Sequence, residues 1–368
     1  MAHDPARLLR PHVSGIPLYV PGKPLEEVER ELGIVAAKLA SNENPLGPAP
    51  EAVAAIVDAA SRVNLYPELE APVLRKALAS KLGVDEDTLL ITAGASHFLE
   101  IAALAFLGPG LDGLSPWPSF ISYVIASRMS GGEFVRVSPA DLRKATVEEI
   151  LAGLTPATRM VFIANPNNPT GAHYTRDELD TLLAGLPDHT MLVWDEAYFE
   201  YVTAPDYPDG IAYLNKDPRL LVTRSFSKVY ALAGLRVGYG IGHPSVMREL
   251  ARIRGPFKIS TLAQAAALAA LGAKDHTRRS VDLVVKGRAY LADTLADLGM
   301  RVWPSQGNFV TVDVGTDAEG VAQRLEKEGY IVRPLRPFGL ATWLRLTVGT
   351  AEQNEGVVRA LARVCGRG

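Results

Sequence analysis

Three polar segments of the chain carry the side chains that could do chemistry. They are Asn165-Pro-Asn-Asn-Pro-Thr-Gly171, Trp194-Asp-Glu-Ala-Tyr198, and the stretch from Ser225 to Tyr239 that contains Lys228 and Arg236. Together they supply an amine, a carboxylate and a guanidinium, the groups that serve covalent catalysis, proton transfer and anion binding. Each segment begins at or just after the end of an apolar run, so the runs must position them.

Those apolar runs predict the strands of one sheet: Met160–Ala164, Met191–Trp194, Leu220–Thr223 and Val237–Ile241. Near-continuous apolar strands separated by helices are typical of a parallel sheet that is covered on both faces. Open α/β sheets build their sites at the carboxyl ends of the strands. We therefore expect the three polar segments to meet at one edge of such a sheet.

The pattern of predicted strands and helices changes near residue 258. Beyond it, the strand-like runs Asn308–Val314 and Trp343–Val348 alternate with helical stretches. Thr316-Asp-Ala-Glu319 predicts a capping box at a helix start, as Thr175-Arg-Asp-Glu178 does between the first two strands. We predict an α/β fold with two domains. Residues 48–257 form a large domain with a mainly parallel central sheet, and residues 1–47 and 258–368 form a smaller α+β domain.

Composition and charge exclude several classes of protein. Lys and Arg number 38 against 41 Asp and Glu, a net charge of −3, so the basic field that nucleic-acid binding needs is missing. The single cysteine, Cys365, excludes a disulfide framework or a cysteine-based zinc site within one chain, and the histidines are too scattered for us to expect a metal. Without a long apolar run or a hydrophobic signal core, we expect a cytoplasmic protein that binds no membrane.

The three segments, in this order, are similar to the motifs of the fold-type I pyridoxal-phosphate aminotransferases, from about Tyr19 to Thr350. The resemblance implies that fold, pyridoxal 5'-phosphate as the cofactor, and transamination between a small amino donor and a 2-oxo acid. It also implies that Lys228 bonds to the aldehyde of the cofactor, for which the amine needs a pocket where it loses its proton. Once displaced, the same amine can act as general acid and base.

The resemblance assigns further residues to the cofactor ring. Asp195 ends an apolar strand, where an unpaired charge is costly, and matches the carboxylate that keeps the ring nitrogen protonated. Tyr198 and Asn168 match the residues that hydrogen-bond the phenolic oxygen. Phe120 aligns with the aromatic side chain that stacks on the ring.

The phosphate of the cofactor needs donors and positive charge, which the N-terminus of a helix also provides. The residues that match this role are Ser225, Ser227, Arg236, Ala95 and Ser96. The histidinol-phosphate branch of the family usually has Asn-Gly-Ser-Asp-Glu where this chain has Ala93-Gly-Ala-Ser-His97. Whether His97 contacts the cofactor stays open.

The resemblance also bears on assembly and substrate. Tyr66 matches a tyrosine that reaches the cofactor phosphate of a partner chain, which implies a homodimer with shared active sites. Arg345 matches the arginine that clamps the substrate anion, because a guanidinium holds a carboxylate or a phosphate by two parallel hydrogen bonds. Arg333 and Tyr19 resemble phosphate ligands of the histidinol-phosphate branch.

These matches imply transamination between histidinol phosphate and 2-oxoglutarate, a step of histidine biosynthesis. An aromatic amino acid aminotransferase is the alternative within the class, since it shares almost all of the motifs. A pyridoxal-phosphate-dependent threonine-phosphate decarboxylase is the alternative from another class, because the geometry of the anion pocket decides which bond to the substrate Cα breaks.

Overall fold

The computed structural model describes residues 4–18, 23, 25–33 and 35–367. The α-helices of this described part are α1 (Leu25–Leu32), α2 (Pro50–Ala60), α3 (Pro72–Leu82), α4 (Ala95–Phe106), α5 (Ser122–Met129), α6 (Val147–Ala152), α7 (Arg176–Gly185), α8 (Pro244–Ile253), α9 (Thr261–Gly272), α10 (Lys274–Asp297), α11 (Ala318–Lys327) and α12 (Ala351–Val364). None of them is both long and apolar enough to cross a membrane.

The strands of the same described residues form three sheets. They are β1 (Ala37–Lys38), β2 (Leu89–Thr92), β3 (Asp112–Pro116), β4 (Glu133–Val137), β5 (Thr158–Ala164), β6 (Met191–Asp195), β7 (Leu220–Ser225), β8 (Gly238–Ile241), β9 (Arg301–Trp303), β10 (Phe309–Asp313), β11 (Tyr330–Ile331), β12 (Arg333–Leu335) and β13 (Leu340–Thr347).

The large sheet has the strand order β2-β8-β7-β6-β5-β3-β4. The neighbours from β7 to β4 are all parallel, whereas β8 is antiparallel to both β7 and β2. The connection from β7 to β8 holds only a 3-10 turn, Ala233–Leu235, and lacks the crossover helix that usually joins parallel strands. The predicted α/β class with a mainly parallel central sheet is confirmed.

Both faces of the large sheet are buried, which explains its continuous apolar strands. In β5, Val161 and Ile163 pack into one apolar layer, while Met160 and Phe162 pack into the layer on the other face. Helices α4 and α5 contribute to the second layer. Side chains alternate between the two faces of a strand, so a strand covered on both sides must be apolar at every position.

The C-terminal part builds a four-stranded antiparallel sheet in the order β12-β13-β10-β9. Its apolar cluster also includes residues of α10, α11 and α12. Strand β1 pairs in parallel with β11, which attaches the N-terminal segment to this part. The division at residues 48 and 258 stays a prediction.

Helix α11 begins differently from the prediction. Its N-cap is Asp317, which accepts a hydrogen bond from the backbone N–H of Gly320, so the capping box expected at Thr316 is wrong. Aspartate is a strong N-cap, and Asp317 also forms an ion pair with Arg336, which favours this start. The capping box expected at Thr175 is formed as predicted, with Glu178 at the reciprocal position.

A buried ion pair ties together the ends of β6 and β7. Both Nε and Nη2 of Arg224 donate to Oε2 of Glu196, at 2.9 and 2.7 Å, and the two side chains are 4% and 0% exposed. Oε1 of Glu196 accepts from the backbone N–H of Gly210 at 2.9 Å. Glu196 follows Asp195 and Arg224 precedes Ser225, so this pair fixes the backbone at two predicted site residues.

We expect Arg224→Met to lower the free energy of unfolding by about 3–5 kcal/mol, because it leaves the Glu196 carboxylate buried without its cation. Urea unfolding measures the change. The control is Arg252→Met, which removes an exposed pair with Glu249 and should cost less than about 1 kcal/mol. Equal small losses in both variants would show that the buried pair does not hold the strand ends.

Candidate active site

A cavity of about 580 Å³ lies where the carboxyl ends of β5, β6 and β7 face the N-terminus of α4 and the four-stranded sheet. The predicted site residues that line it are Ala95, Ser96, Phe120, Asn168, Asp195, Tyr198, Ser225, Ser227, Lys228, Arg236, Arg333 and Arg345. The structure thus brings the three polar segments together at one edge of the sheet. It adds two arginines from the C-terminal sheet to the same space.

Asp195 ends β6 and is 4% exposed. Its Oδ2 accepts a hydrogen bond from the Tyr123 hydroxyl at 2.9 Å, and its Oδ1 accepts from the backbone N–H of Ala197 at 3.1 Å. Burial raises the pKa of the carboxyl to about 6, although both hydrogen bonds and the nearby Lys228 act in the opposite direction. A cation placed against this carboxylate would offset the cost of its burial.

Lys228 follows β7 and is anchored by buried apolar neighbours, Phe226 and Val229. Its Nζ donates to the backbone carbonyls of Asn42 at 3.1 Å and Ser41 at 3.3 Å. Burial lowers the pKa of the ammonium to about 8, and the positive charge of Arg345 acts in the same direction. The amine can therefore lose its proton close to neutral pH, as a nucleophile or proton carrier must.

Asn42 connects several groups of the site, and sequence reasoning missed it. Its Nδ2 donates to the Tyr198 hydroxyl at 2.9 Å, and its Oδ1 accepts from the Thr347 hydroxyl at 3.1 Å. Its carbonyl accepts from Lys228 and also from Asn308 Nδ2 at 3.0 Å. Its left-handed backbone, φ 55°, suits asparagine, but the sequence gives no signal for partners so distant along the chain. Tyr123 was missed for the same reason.

One corner of the cavity, called the anion corner below, carries groups that bind anions. The N-cap of α4 is Gly94, with no side-chain cap, so its first N–H groups are open to a ligand. Ser225, Ser227 and Arg236 also line the cavity, and Nη1 of Arg236 donates to the Ser227 hydroxyl at 3.3 Å. A helix N-terminus, two hydroxyls and a guanidinium fit a phosphate group.

Gly94 allows the close packing of this corner. A Cβ at this position would lie 2.5 Å from Nη2 of Arg236, and its φ of +89° is unfavourable for other residues. A Cβ here would therefore require the guanidinium to move away from the start of α4.

The two arginines of the C-terminal sheet lie directly opposite each other. Arg333 on β12 pairs with Arg345 on β13 in the antiparallel ladder, and both line the cavity. Nη1 of Arg345 donates to Oδ1 of Asn168 at 2.6 Å, and Nη2 donates to the carbonyl of Ala40. Like charges at opposed positions destabilise a sheet. An anion between them would relieve that repulsion, so the pair is suited to a substrate with two negative charges.

Tyr66 and His97, which the sequence also singles out, do not line this cavity. Tyr66 is 84% exposed, stacks on Phe257 with ring centroids 4.7 Å apart, and does not line the cavity of its own chain. His97 is absent from the cavity lining, and its Nδ1 accepts from the backbone N–H of Ala93 at 3.2 Å. Tyr19 lies outside the described residues.

Comparison with known proteins gives consistent matches over nearly the whole chain. The family model described as aminotransferase class I and II matches residues 36–361. A histidinol-phosphate aminotransferase of Moorella thermoacetica is 42% identical over 357 residues, which are 96% of this chain and 92% of the relative. Another, from an Anaeromyxobacter species, is 43% identical over 361 residues, 98% of this chain and 99% of the relative.

Among solved structures, the histidinol-phosphate aminotransferase from Sinorhizobium meliloti in complex with pyridoxal-5'-phosphate has a TM-score of 0.88. It is 29% identical to this chain, and the match covers 97% of each. The resemblance predicted from the three polar segments is confirmed.

We expect Gly94→Ala to weaken binding of pyridoxal phosphate, the cofactor that the sequence resemblance implies, by roughly tenfold. The added Cβ must displace Arg236 and so remove one charge-assisted hydrogen bond from the anion corner. Titration of the apoprotein, followed by absorbance, measures the affinity. Gly110→Ala is the control, since Gly110 also has a positive φ, +80°, but nothing lies within 4 Å of its Cβ position. Equal affinities in the two variants would contradict this role for the corner.

Proposed function

The chain belongs to the class I and II aminotransferases, and we propose that it transfers the amino group of histidinol phosphate to 2-oxoglutarate with pyridoxal phosphate as its cofactor. The observation that carries the proposal is one cavity in which a half-buried amine, a buried carboxylate, an anion corner and two opposed arginines face the same space. The relatives named histidinol-phosphate aminotransferases support the choice of amino donor.

The residues present fit the cofactor. The anion corner of Ser225, Ser227, Arg236 and the first amides of α4 would hold its phosphate, and Asp195 its ring nitrogen. Tyr198 and Asn168 would hydrogen-bond its phenolic oxygen, with Phe120 against the ring. When bound, pyridoxal phosphate supplies an aldehyde that takes up amino groups and a ring that withdraws electrons.

Lys228 is the proton carrier in this proposal. Its Nζ removes the proton from the Cα of the amino donor and holds it for return, a role that needs both protonation states near neutral pH. The lowered pKa, about 8, makes both states accessible. The Asn42 carbonyl, 3.1 Å from Nζ, orients the amine.

Asp195 would keep the ring nitrogen of the cofactor protonated. Its burial leaves the carboxylate with too little solvation, so a protonated ring nitrogen is its natural partner. The hydrogen bonds from Tyr123 and Ala197 hold the carboxylate in place, so that both charges are retained together.

The two substrates carry different anionic groups, and the two arginines allow one site to bind both. Histidinol phosphate carries a phosphate but no carboxylate, whereas 2-oxoglutarate carries two carboxylates. Arg345 is the common clamp for both, and Arg333, with Tyr19, selects the phosphate. The repulsion between the opposed guanidinium groups favours a dianionic substrate.

The protein acts as a homodimer in the cytoplasm in this proposal. Tyr66 is exposed in the single chain and reaches the cofactor phosphate of the partner. Exposed apolar side chains at Val57 and Leu65, with Phe257 stacked on Tyr66, support a contact surface around it.

We expect the rate at which the apoprotein takes up pyridoxal phosphate covalently to rise with pH and to level off above about pH 8. The neutral amine of Lys228 is the reactive form, and it becomes the major form only above its pKa, which burial lowers to about 8. The development of visible absorbance after mixing measures the rate. Lys228→Arg is the control and should show no covalent uptake at any pH. A rate independent of pH between 6 and 9 would contradict the assignment.

The amino donor is tested by single-turnover conversion of the loaded enzyme to its pyridoxamine form, with L-histidinol phosphate and L-phenylalanine at equal concentration. We expect fast reaction with histidinol phosphate only. Preference for phenylalanine would indicate an aromatic aminotransferase, and release of CO2 from threonine phosphate would indicate the decarboxylase.

We expect Arg333→Ala to lower kcat/KM for histidinol phosphate by about 30-fold or more, because a charge pair to the phosphate is lost. The loss for glutamate should be much smaller. Arg301→Ala is the matched control, since Arg301 lies in the same sheet, is 69% exposed and does not line the cavity. Equal losses for both donors would show that Arg333 is not a phosphate selector.

A further inference from the structure

One aromatic side chain in the cavity has no part in the proposed function. The aromatic residues among the described lining are Phe120, Tyr198 and Phe338, and the first two are assigned to the cofactor. Phe338 ends the 3-10 turn Arg336–Phe338. This turn joins β12, which carries Arg333, to β13, which carries Arg345. Phe338 therefore reaches the cavity from the same hairpin that presents both substrate-binding arginines.

Phe338 is held in place from two parts of the chain. Its ring stacks on Trp117, with centroids 5.6 Å apart and an interplanar angle of 28°. The guanidinium of Arg136 lies 4.1 Å from the centre of the Trp117 ring, a cation–π contact that braces it in turn. On its own sheet, Phe338 packs against the buried side chains of Leu335, Leu340 and Trp343. A ring fixed in this way is preorganised for a ligand, so little freedom is lost on binding.

The chemistry of the amino donor requires such a surface. The phosphate, charged and hydrated, is accounted for by the arginines, but the imidazole ring at the other end needs an apolar, preferably aromatic, contact. Aromatic rings stabilise one another in offset or edge-to-face arrangements with centroids about 4.5–7 Å apart. The co-substrate 2-oxoglutarate has no ring and makes no use of this contact.

We propose that Phe338, braced by Trp117, is a specificity-determining residue that receives the heteroaromatic ring of the amino donor. The proposal rests on the proposed function for the identity of that donor. It assigns the two ends of the substrate to different parts of one hairpin: the strands bind the anion, and the connecting turn binds the ring.

The test compares two phosphate esters that differ only in the ring. L-Alaninol phosphate is histidinol phosphate with the imidazole removed, so any contact to the ring is absent from it. We expect Phe338→Ala to lower kcat/KM for histidinol phosphate by roughly tenfold. For alaninol phosphate the change should be less than about twofold. Phe338→Tyr keeps the ring, so the ratio of kcat/KM for the two esters should stay as in the wild-type enzyme.

Two further variants separate recognition from structure. Phe134→Leu removes a half-buried aromatic ring on β4 that packs in a different apolar cluster and does not line the cavity, and it should leave the ratio of the two esters unchanged. Phe338→Leu keeps most of the apolar volume without the aromatic ring. It should give the same selective loss as Phe338→Ala, with the thermal midpoint and the absorbance of the bound cofactor unchanged.

Equal losses for both esters in Phe338→Leu, or no loss for either, would overturn the proposal. If wild-type enzyme does not convert histidinol phosphate at all, the proposed function fails, and this outcome is separate. The ring contact is then measured with L-phenylalanine against L-alanine, the corresponding pair with and without a ring. A loss in Phe338→Leu that is confined to phenylalanine would support the ring contact, and an equal loss for both amino acids would overturn it.

Discussion

The burial of one carboxylate, Asp195, is the constraint on which the site depends. A charge at the end of an apolar strand is costly, and here a tyrosine hydroxyl and a backbone N–H offset only part of that cost. The adjacent Glu196, paired with Arg224, keeps the strand end from relaxing towards solvent. In the proposed function, a cation from outside the chain stabilises this position. The lysine, the anion corner and the side chains assigned to the ring would then surround the ligand that provides it.

Much of this site could be predicted from sequence, because its position follows from where successive apolar strands end along the chain. Parallel strands end at a common edge, so motifs that follow successive apolar runs must meet there, as Asn168, Asp195 and Lys228 do. The motif resemblance added Arg333 and Arg345 from the second sheet. Local patterns also gave the helix that Thr175 caps.

The remaining features depend on contacts that local periodicity does not encode. Asn42 meets Thr347 across 305 positions, and no spacing rule connects them. The direct opposition of Arg333 and Arg345 depends on a register that includes an irregularity between Pro334 and Leu335. The antiparallel β8 follows from a connection without a helix, which apolar composition alone does not reveal. For α11, the N-cap is Asp317, which also pairs with Arg336 from a later part of the chain.

Asn42 has a consequence that reaches beyond its hydrogen bonds. Its Nδ2 donates to Tyr198 and its Oδ1 accepts from Thr347, while its backbone carbonyl accepts from both Lys228 of the large-sheet edge and Asn308 of the C-terminal part. The free energy of protonating the lysine therefore depends on the same hydrogen bonds of Asn42 that place the arginine-bearing sheet. The charge of Arg345 also lowers the pKa of Lys228, so in the proposed function a substrate anion that neutralises Arg345 raises the proton affinity of the amine. By thermodynamic linkage, deprotonation of the amine then lowers the affinity for that anion by the same factor.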